Sequence, residues 1–468
     1  MALGAGLGLA MNLADDPGAG AFVNAVWWLD LVGKDLFIGA LKMIIAPLIF
    51  ASITAGVYSL PDLSAVRSIG VKTLVFYACT VCAAVALGMT LVMVIQPGKK
   101  SSSQEIRAKR EAQIAGLADQ FRASGGAGPD TAQGAAEFRR YLAAQEGEAS
   151  GAQTFGAAWT AMKSGETAGS LVTMRDALVR PSLTNPFNSL AQIPPNSLGI
   201  IVFALLLGIA LVTIGEATKS VGEFFVAFDK VMLTITMWVM KFAPIGVGCI
   251  TASLTATLGV DALISLAWYS GVIVVGLTIH FCFLLFLTWA IGGMGPVTFL
   301  RGARDALLVA FTTSSSAATL PVSMVCTIEK LKVSPQIVRF ALPVGATVNM
   351  DGTALYEGVA VLFLIQVFGG LPDAMIDLSF GNLFVIFITA VFAAVGAAAV
   401  PSAGLITMAL VAGSVGLPIY YIVIIYAVDR VLDMFRTTVN VLGDMVGAVI
   451  VNRLEAKNLG RATLSSKP

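Results

Sequence analysis

Five long apolar stretches restrict what this chain of 468 residues can fold into. A helix that crosses the roughly 30 Å of hydrocarbon in a bilayer needs about 20 consecutive apolar residues. Each stretch reaches about that length, which predicts membrane-spanning helices rather than a single water-soluble core. The stretches cover residues 36–60, 73–97, 196–215, 221–256 and 264–292.

The balance of residue types agrees with an integral membrane protein. Hydrophobic residues make up 57% of the chain and charged residues 12%, with a formal net charge of +1, whereas soluble domains are about a quarter charged. Disordered, collagen-like and nucleic-acid-binding classes need charge or repeats that this sequence lacks. One histidine in the whole chain also excludes most catalytic arrangements.

The cysteines and the histidine all lie in apolar runs. Because no cysteine stands in a polar loop, we expect five buried free thiols rather than disulfides. For His280, in the run VGLTIHFCFLL, we favour a packed or interfacial ring over a proton relay, since no partner lies within reach along the sequence. The cysteines are Cys79, Cys82, Cys249, Cys282 and Cys326.

A polar block at residues 99–190 interrupts the apolar stretches and holds about a third of the charged residues. We interpret it as an insert outside the membrane that is partly helical. Basic residues such as Arg67 and Arg453 indicate that the ends carrying them are cytoplasmic, so the insert is expected on the opposite side. The N-terminal run MALGAGLGLAMNLADD is too short for a crossing, and it predicts either a truncated first helix or a segment that only dips into the membrane.

From about residue 296 the apolar segments are broken by polar or Gly/Pro clusters. The breaks are TTSSSAATLP at 312–321, VNMDGT at 348–353 and GAAAVPSAG at 396–404. We expect Gly352 and its polar neighbours to unwind the second of these. Irregular backbone at membrane depth is tolerated only beside protein or a water-filled cavity, so the breaks predict a repeat pair around a binding site.

A stripe of polar residues marks one face of the last apolar segment. Its members are spaced by 4, 3, 4 and 4 residues, which places them within an arc of roughly 80° on a helix. Charges centred in a bilayer are costly, so the stripe predicts a polar pathway. An internal salt bridge between Asp433 and Arg436 that holds helices together is the alternative, although one pair does not explain five polar residues. The stripe consists of Asp429, Asp433, Arg436, Asn440 and Asp444.

Oxygen atoms dominate the candidate ligands in this region. Carboxylate, amide and carbonyl oxygens without histidine or cysteine nearby suit a hard cation such as sodium rather than zinc or copper. We take Asp351, Asp444 and Asn440 as the cation candidates.

Asn349, Thr353 and Glu357 recur every four residues in the broken segment. An acid in apolar surroundings takes up a proton readily, so Glu357 is a candidate proton carrier. A neutral, hydrogen-bonded structural acid is an equally good interpretation.

The three serines at 314–316 offer hydroxyls and free backbone N–H groups at a helix end, which suits a carboxylate. A serine nucleophile is the enzymatic alternative, but no histidine or lysine base accompanies it. Phosphate-binding glycine loops are also missing from the sequence, and its one CxxC pair, Cys79 and Cys82, lies inside an apolar run. The chain is therefore not expected to be an enzyme.

Four long motifs in this order resemble the dicarboxylate/amino acid:cation symporters, which include the excitatory amino acid (glutamate/aspartate) transporters. The motifs are SSSAATLP, LPVGATVNMDGTALYEG, VPSAGLITMALVAGSVGLP and DRVLDMFRTTVNVLGD. The likeness covers most of the chain from about residue 36, apart from the insert at 99–190.

The resemblance implies an all-α polytopic membrane protein with eight transmembrane helices and two re-entrant helical hairpins. It implies inverted repeats, a homotrimer, and a transport domain that moves like an elevator against a scaffold. The implied partners are an acidic amino acid, membrane lipids and sodium as the coupling ion, with no other cofactor. The absence of an Asn-x-Ser/Thr sequon fits the inner membrane of a bacterium.

The resemblance divides the chain into ten regions. They are 1–72, N-terminal scaffold helices with the first truncated; 73–98, the third transmembrane helix, in the transport domain; 99–190, the extracytoplasmic insert; 191–260, scaffold and trimerisation helices; 261–295, the sixth helix, in the transport domain; 296–332, the first hairpin; 333–370, the seventh helix, unwound at NMDGT; 376–417, the second hairpin; 418–455, the eighth helix; and 456–468, a cytoplasmic tail.

The resemblance also assigns the substrate site. Asp433 would hold the amino group of the substrate and Arg436 its side-chain carboxylate, which matches the planar fork of a guanidinium. The remaining positions would hold the main-chain carboxylate or close the second hairpin over it. These are Ser314, Ser316, Thr353, Asn440, Val400 and Gly404.

Three sodium sites are implied in the same way. Val81 stands where relatives usually carry a hydroxyl ligand, so the second site is expected to be weaker. The first site would use Gly345, Asn349, Asn440 and Asp444; the second Tyr77, Thr80, Asn349 and Asp351; and the third Thr347 with carbonyls near Ala394 to Ala397. The resemblance further implies that Glu357 carries a proton.

These features together predict sodium-coupled uptake of L-glutamate or L-aspartate. A proton- or sodium-coupled carrier of C4-dicarboxylates or neutral amino acids is the alternative within the family. Arg436 argues against neutral substrates, and Asp433 argues against dicarboxylates that lack an ammonium group. An anion channel is the alternative from another class.

Overall fold

The computed structural model describes residues 2–14, 20–58, 67–124, 197–395 and 403–465, together with 134, 137–138, 141–142 and 185. These residues form fifteen α-helices, and among them the only β pairing is an isolated bridge between Leu371 and Ala374. The helices are α1 (Ala2–Ala14), α2 (Gly20–Asp30), α3 (Gly39–Tyr58), α4 (Arg67–Ile95), α5 (Ser101–Ala123), α6 (Ser197–Ile214), α7 (Lys219–Leu258), α8 (Val260–Ala290), α9 (Pro296–Thr313), α10 (Ser316–Val325), α11 (Pro335–Val348), α12 (Asp351–Phe368), α13 (Phe380–Val395), α14 (Ala403–Ser414) and α15 (Val423–Ser465).

The five predicted apolar stretches coincide with helices α3, α4, α6, α7 and α8. A helix satisfies every backbone group within its own segment, which is why apolar stretches of this length adopt it. In the part of the chain that the structure describes, five segments are long and apolar enough to cross a membrane. They are Ile69–Lys99, Val202–Met232, Asp261–Ala290, Pro335–Phe368 and Tyr420–Glu455.

The helices pack as two groups with fewer contacts between them than within them. Helices α1, α2, α3, α6 and α7 form one group, with a small apolar core of Ala55, Leu211 and Phe225. Helices α4 and α8 to α15 form the other, and most of the large apolar core lies there. The main contact between the groups runs from α7 to α15.

Helix α12 is the centre of the second group, because all of its residues are buried. The chain before it is unwound at Asn349 and Met350, between the end of α11 and the start of α12. The predicted break at 348–353 is therefore present, but it is confined to Asn349 and Met350. Gly352 lies within the first turn of α12, where a side chain would collide with the backbone carbonyl of Arg436.

Helices α9 and α10 form a helical hairpin whose tip is the predicted break at 312–321. Only two residues leave the helical path: Ser314 has a left-handed backbone (φ 52°), and Ser315 caps α10 by accepting a hydrogen bond from the N–H of Ala318. Serine at this cap position satisfies one of the free donors of the new helix. Lys330, in the turn that follows α10, pairs with Asp305 in the middle of α9 at 2.5 Å.

Helices α13 and α14 also pack against each other, and the third predicted break lies between them. Most of that break, residues 396–402, lies outside the described residues, as does the expected site residue Val400. The final helix, α15, continues to Ser465, whereas its apolar segment of membrane length ends at Glu455, where the tail was expected to begin.

The prediction of five buried cysteines was wrong. Cys326 is buried, whereas Cys79 and Cys282 are exposed on the surface of the chain and the other two are half-buried. Large apolar side chains such as Trp289 and Phe286 are exposed on the same helices. A helix that faces lipid exposes apolar residues, so an apolar neighbourhood in the sequence does not imply burial within the protein.

The start of the polar insert forms α5, which packs against α8 and α12. Arg107 donates from Nη1 to the carbonyl oxygens of Val367 (3.2 Å) and Gly369 (2.8 Å), at the end of α12. Arg110 pairs with Asp373 at 3.0 Å. The insert was expected to be partly helical and outside the membrane, and the sequence did not indicate that its first helix would dock on α12.

Candidate functional site

Arg436 lies at the centre of a buried charged cluster on α15, with 2% of its side chain exposed. Its Nη2 and Nε donate to Asp433 Oδ1 at 2.5 and 3.1 Å. Its Nη1 lies 3.6 Å from Asp429 Oδ1 and makes no hydrogen bond. The guanidinium also stands over the ring of Tyr356, 4.4 Å from its centroid.

The salt bridge that was considered as the alternative to a polar pathway does form. It cannot hold two helices together, however, because Asp429, Asp433 and Arg436 all belong to α15. A hydrogen bond of 2.8 Å from the hydroxyl of Tyr356 to Asp429 crosses from α12 to this cluster, beside the contact of the Tyr356 ring with Arg436. The sequence placed Asp429 in the stripe without a role, and its partner was not predicted.

Two residues of the second hairpin arm, α14, lie against this cluster and against Glu357 of α12. A side chain at Gly404 would overlap the guanidinium of Arg436, so a glycine is required for the arm to approach so closely. Thr407 donates from its hydroxyl to Glu357 Oε1, and Glu357 Oε2 is buried without a hydrogen bond. Glu357 itself is fully buried in α12. The second arm therefore lies against both the charged cluster and the candidate proton carrier.

The tip of the first hairpin supplies polar atoms in a buried position. Ser314 and Ser316 are 1% and 4% exposed, and the hydroxyl of Ser314 makes no hydrogen bond. The N-terminus of α10 begins here, and helix N-termini attract anions through their free N–H groups and dipole. Both arms of this hairpin pack against α15.

A second polar cluster lies further along α15, around Asp444. Asn349 donates from Nδ2 to Asp444 Oδ1 at 3.0 Å, and its own Oδ1 accepts a hydrogen bond of 3.2 Å from Thr80. A side chain at Gly345 would collide with the Asp444 carboxylate and with the hydroxyl of Tyr77. The structure therefore brings together five of the residues expected at the first two cation sites: Gly345, Asn349, Asp444, Thr80 and Tyr77.

Asn440 lies on α15 between the two clusters, one turn from Arg436 and one turn from Asp444. Its Oδ1 accepts a hydrogen bond of 2.7 Å from the backbone N–H of Gly352, and its Nδ2 donates to Thr353 Oγ1 at 3.2 Å. These bonds attach the start of α12 to the middle of α15. A carbonyl oxygen has a second lone pair, so Asn440 can still coordinate a cation.

Asp351 is fully buried at the first turn of α12, where the helix dipole favours a carboxylate. His280 Nε2 lies 2.9 Å from its Oδ2, while its Oδ1 has no hydrogen-bond partner. The packed ring expected for His280 is confirmed by its burial, and its partner Asp351 is not one of its neighbours along the sequence. The two residues are 71 positions apart, and no sequence signal connects them.

The third cation site is only partly described. Thr347 is half-buried, and its hydroxyl donates to the carbonyl of Val344 at 3.1 Å. Ala394 is buried near the end of α13, and the neighbouring residues 396–397 lie outside the described residues. Among the described residues, no group of three or more His, Cys, Asp or Glu side chains has the geometry of a tight metal site.

Membrane-length helices around buried ion pairs and clustered oxygen atoms define a polytopic membrane protein with a polar interior. The chain belongs to the sodium:dicarboxylate symporter family, whose sequence profile matches residues 1–454. It is accordingly a multi-pass symporter of the membrane.

Several curated proteins are similar to this chain over most of its length. Excitatory amino acid transporter 3 of Oryctolagus cuniculus is 36% identical over 438 residues, covering 92% of this chain and 80% of the relative. Excitatory amino acid transporter 1 of Ambystoma tigrinum is 34% identical over 435 residues, covering 91% and 77%. An excitatory amino acid transporter of Caenorhabditis elegans is 35% identical over 428 residues, covering 89% and 80%.

Proposed function

We propose that this protein is a sodium-coupled symporter for L-glutamate and L-aspartate that also carries a proton. The substrate lies between the tip of the first hairpin, α14 and the charged cluster on α15. Asp433 holds its ammonium group and Arg436 its side-chain carboxylate. Ser314, Ser316, Thr353 and Asn440 hold its main-chain carboxylate, and Val400 and Gly404 close the second hairpin over it.

The observation that carries this proposal is an unused hydrogen-bond donor, Nη1 of the buried Arg436. A buried guanidinium is costly unless all its donors are used, and Nη1 of Arg436 makes no hydrogen bond. An acidic amino acid supplies a partner for each charge of the cluster. Its carboxylate can accept a hydrogen bond from Nη1 of Arg436, and its ammonium group can donate to Asp433. The internal ion pair is thus exchanged for two contacts with the substrate, without leaving a buried charge alone.

The coupling ions bind in the oxygen-rich cluster around Asp444, which lies further along α15 than the substrate. Asp444 and Asp351 are buried carboxylates, the first hydrogen-bonded to Asn349 and the second to His280, and a hard cation between them offsets their mutual repulsion. Asn440 serves both the substrate site and the first sodium site. Cation binding at Asn440 therefore orders residues that contact the substrate. Sodium sites are proposed at Gly345, Asn349, Asn440 and Asp444; at Tyr77, Thr80, Asn349 and Asp351; and at Thr347 with carbonyls near Ala394 to Ala397.

The two packing groups support an elevator mechanism with eight transmembrane helices and two re-entrant hairpins, in a homotrimer. The group of α4 and α8 to α15 would be the transport domain, and α1, α2, α3, α6 and α7 the scaffold. This division follows the regions expected from the sequence. It adds α5 to the moving domain, because Arg107 and Arg110 attach it to the end of α12 and to Asp373.

Uptake into proteoliposomes tests the proposal. Radiolabelled L-aspartate and L-glutamate are offered with an inward sodium gradient, with potassium in place of sodium, and with a proton gradient alone. We expect accumulation only with sodium. Accumulation driven by protons alone would contradict the assignment of the cation cluster.

Competition and current measurements address the alternatives. Excess unlabelled L-aspartate should block uptake, whereas succinate and L-alanine should not. Block by succinate would favour a dicarboxylate carrier, and block by L-alanine a neutral amino acid carrier. Chloride current without sodium or substrate would favour an anion channel.

A further inference from the structure

His280 is the one histidine of the chain and lies in the middle of α8, with 1% of its side chain exposed. The helix around it is apolar, and its ring packs near that of Phe283, with 5.8 Å between the centroids. The position of the ring is therefore fixed by packing. Its Nε2 lies 2.9 Å from Asp351 Oδ2.

The hydrogen bond between these residues has one direction when Asp351 binds a cation. A carboxylate that binds a cation is ionised and has only acceptors, so the hydrogen must be on Nε2 of His280. Oδ2 is then occupied by the imidazole. Oδ1 is buried and has no hydrogen-bond partner, which leaves it as the oxygen available to a cation.

The backbone around Asp351 does not fix the carboxylate by itself. Asn349 and Met350 before it are unwound, and Gly443 opposite has no side chain. A methyl group at Gly443 would lie 2.6 Å from Asn349 Nδ2 and 3.3 Å from Asp351 Oδ2. The space beside the carboxylate is thus kept open, and His280 is the side chain that supports it laterally.

We propose that His280 is a positioning residue for the sodium site at Asp351: its Nε2–H holds Oδ2 so that Oδ1 is presented to the ion. Ligands of metal ions are commonly oriented by such outer hydrogen bonds, and losing one typically weakens metal binding about 10- to 100-fold. This inference rests on the proposed cation cluster. It adds His280 to the residues that set sodium affinity, although α8 supplies no expected ligand.

The test is sodium-dependent thermal stabilisation of the purified protein, which requires neither substrate nor transport. The wild type is compared with His280→Leu and His280→Met, which have no donor, and with His280→Gln, whose Nε2 reaches about as far as that of the imidazole. Phe283→Leu is the matched control, because it removes the neighbouring ring and leaves the hydrogen bond intact. Gel filtration shows which variants fold.

We expect the sodium concentration at half-maximal stabilisation to rise about tenfold or more in the Leu and Met variants. The Gln and Phe283→Leu variants should stay within about threefold of the wild type, a difference smaller than the loss of one such bond produces. Unchanged sodium affinity in a folded Leu or Met variant would overturn the positioning role. Higher affinity would also overturn it, because the imidazole would then compete with the ion.

The same experiment separates this inference from the proposal beneath it. A wild type that sodium does not stabilise would refute the cation cluster and the role of His280 together. A wild type that responds to sodium, with non-donor variants that respond equally, would refute only the role of His280.

Discussion

Arg436 and Asp433 form a buried ion pair of 2.5 Å, one turn apart on the same helix. A pair within one helix contributes little to how helices pack, yet both charges have been removed from water at considerable cost. The cost is understandable if each charge has a second partner in another state of the protein. A substrate with an ammonium group and a carboxylate provides both partners.

Replacing this guanidinium should change the class of substrate. We expect Arg436→Cys to abolish uptake of acidic amino acids, because truncating one partner of a buried charged contact costs about 2–5 kcal/mol of binding free energy. Uptake of neutral amino acids such as L-serine or L-cysteine should then become measurable. Arg430→Cys, an exposed position on the same helix, is the control. Retained affinity for glutamate would show that Arg436 does not bind the side chain.

Asp444 should determine the sodium requirement. We expect Asp444→Asn to raise the sodium concentration for half-maximal aspartate uptake by at least about tenfold, because cation affinity follows the number of charged ligands. Asp305→Asn removes an exposed carboxylate that pairs with Lys330, and its sodium dependence should match the wild type. If Asp444→Asn shows unchanged sodium dependence, Asp444 is not a ligand.

Much of the candidate site could be predicted from the sequence because its residues are close together along the chain. The stripe from Asp429 to Asp444 follows helical spacing, and all five members are buried as expected. The break at Ser314 was visible as a polar cluster between apolar runs, and serine is a natural cap there. Local chemistry is sufficient to recognise features of this kind.

Contacts between distant segments could not be predicted in the same way. Thr407 and Glu357 are 50 positions apart, and Gly352 and Asn440 are 88 apart. Which helix faces which depends on packing that a single sequence does not encode in any periodic pattern. The exposure of Cys79 was missed for a related reason, since lipid-facing and buried positions are equally apolar in a membrane helix.

Glu357 should carry the proton. We expect Glu357→Gln, which keeps the shape and can still accept a hydrogen bond from Thr407, to abolish acidification of the liposome lumen during aspartate uptake. A pH-sensitive dye inside the liposomes measures this, with sodium-driven uptake recorded in parallel. Gln366→Glu places an acid at another buried polar position of α12. Added to Glu357→Gln, it should not restore acidification if the position of the acid matters. Persistent acidification in Glu357→Gln would assign the proton to another group.

Docking of α5 on the proposed transport domain should contribute to stability. The side chains of Arg110 and Asp373 are 9% and 3% exposed, and the hydroxyl of Tyr421 also donates to Asp373 at 2.7 Å. Because that hydroxyl remains after Arg110→Met, we expect a moderate loss of about 1–3 kcal/mol rather than the full cost of an isolated buried charge. Asp373→Asn should cost less in the Arg110→Met background than alone, since the partner charge is already gone.

An exposed ion pair on the same helix separates docking from helix stability. Arg122 pairs with Asp119 within α5, with side chains 47% and 79% exposed. Exposed pairs of this kind contribute less than about 1 kcal/mol, so Arg122→Met should barely shift the melting temperature. Equal melting temperatures for Arg110→Met, Arg122→Met and the wild type would mean that α5 is not held to α12 by this pair. The assignment of α5 to the moving domain would then rest on its other contacts with that domain, such as the hydrogen bonds from Arg107 to Val367 and Gly369.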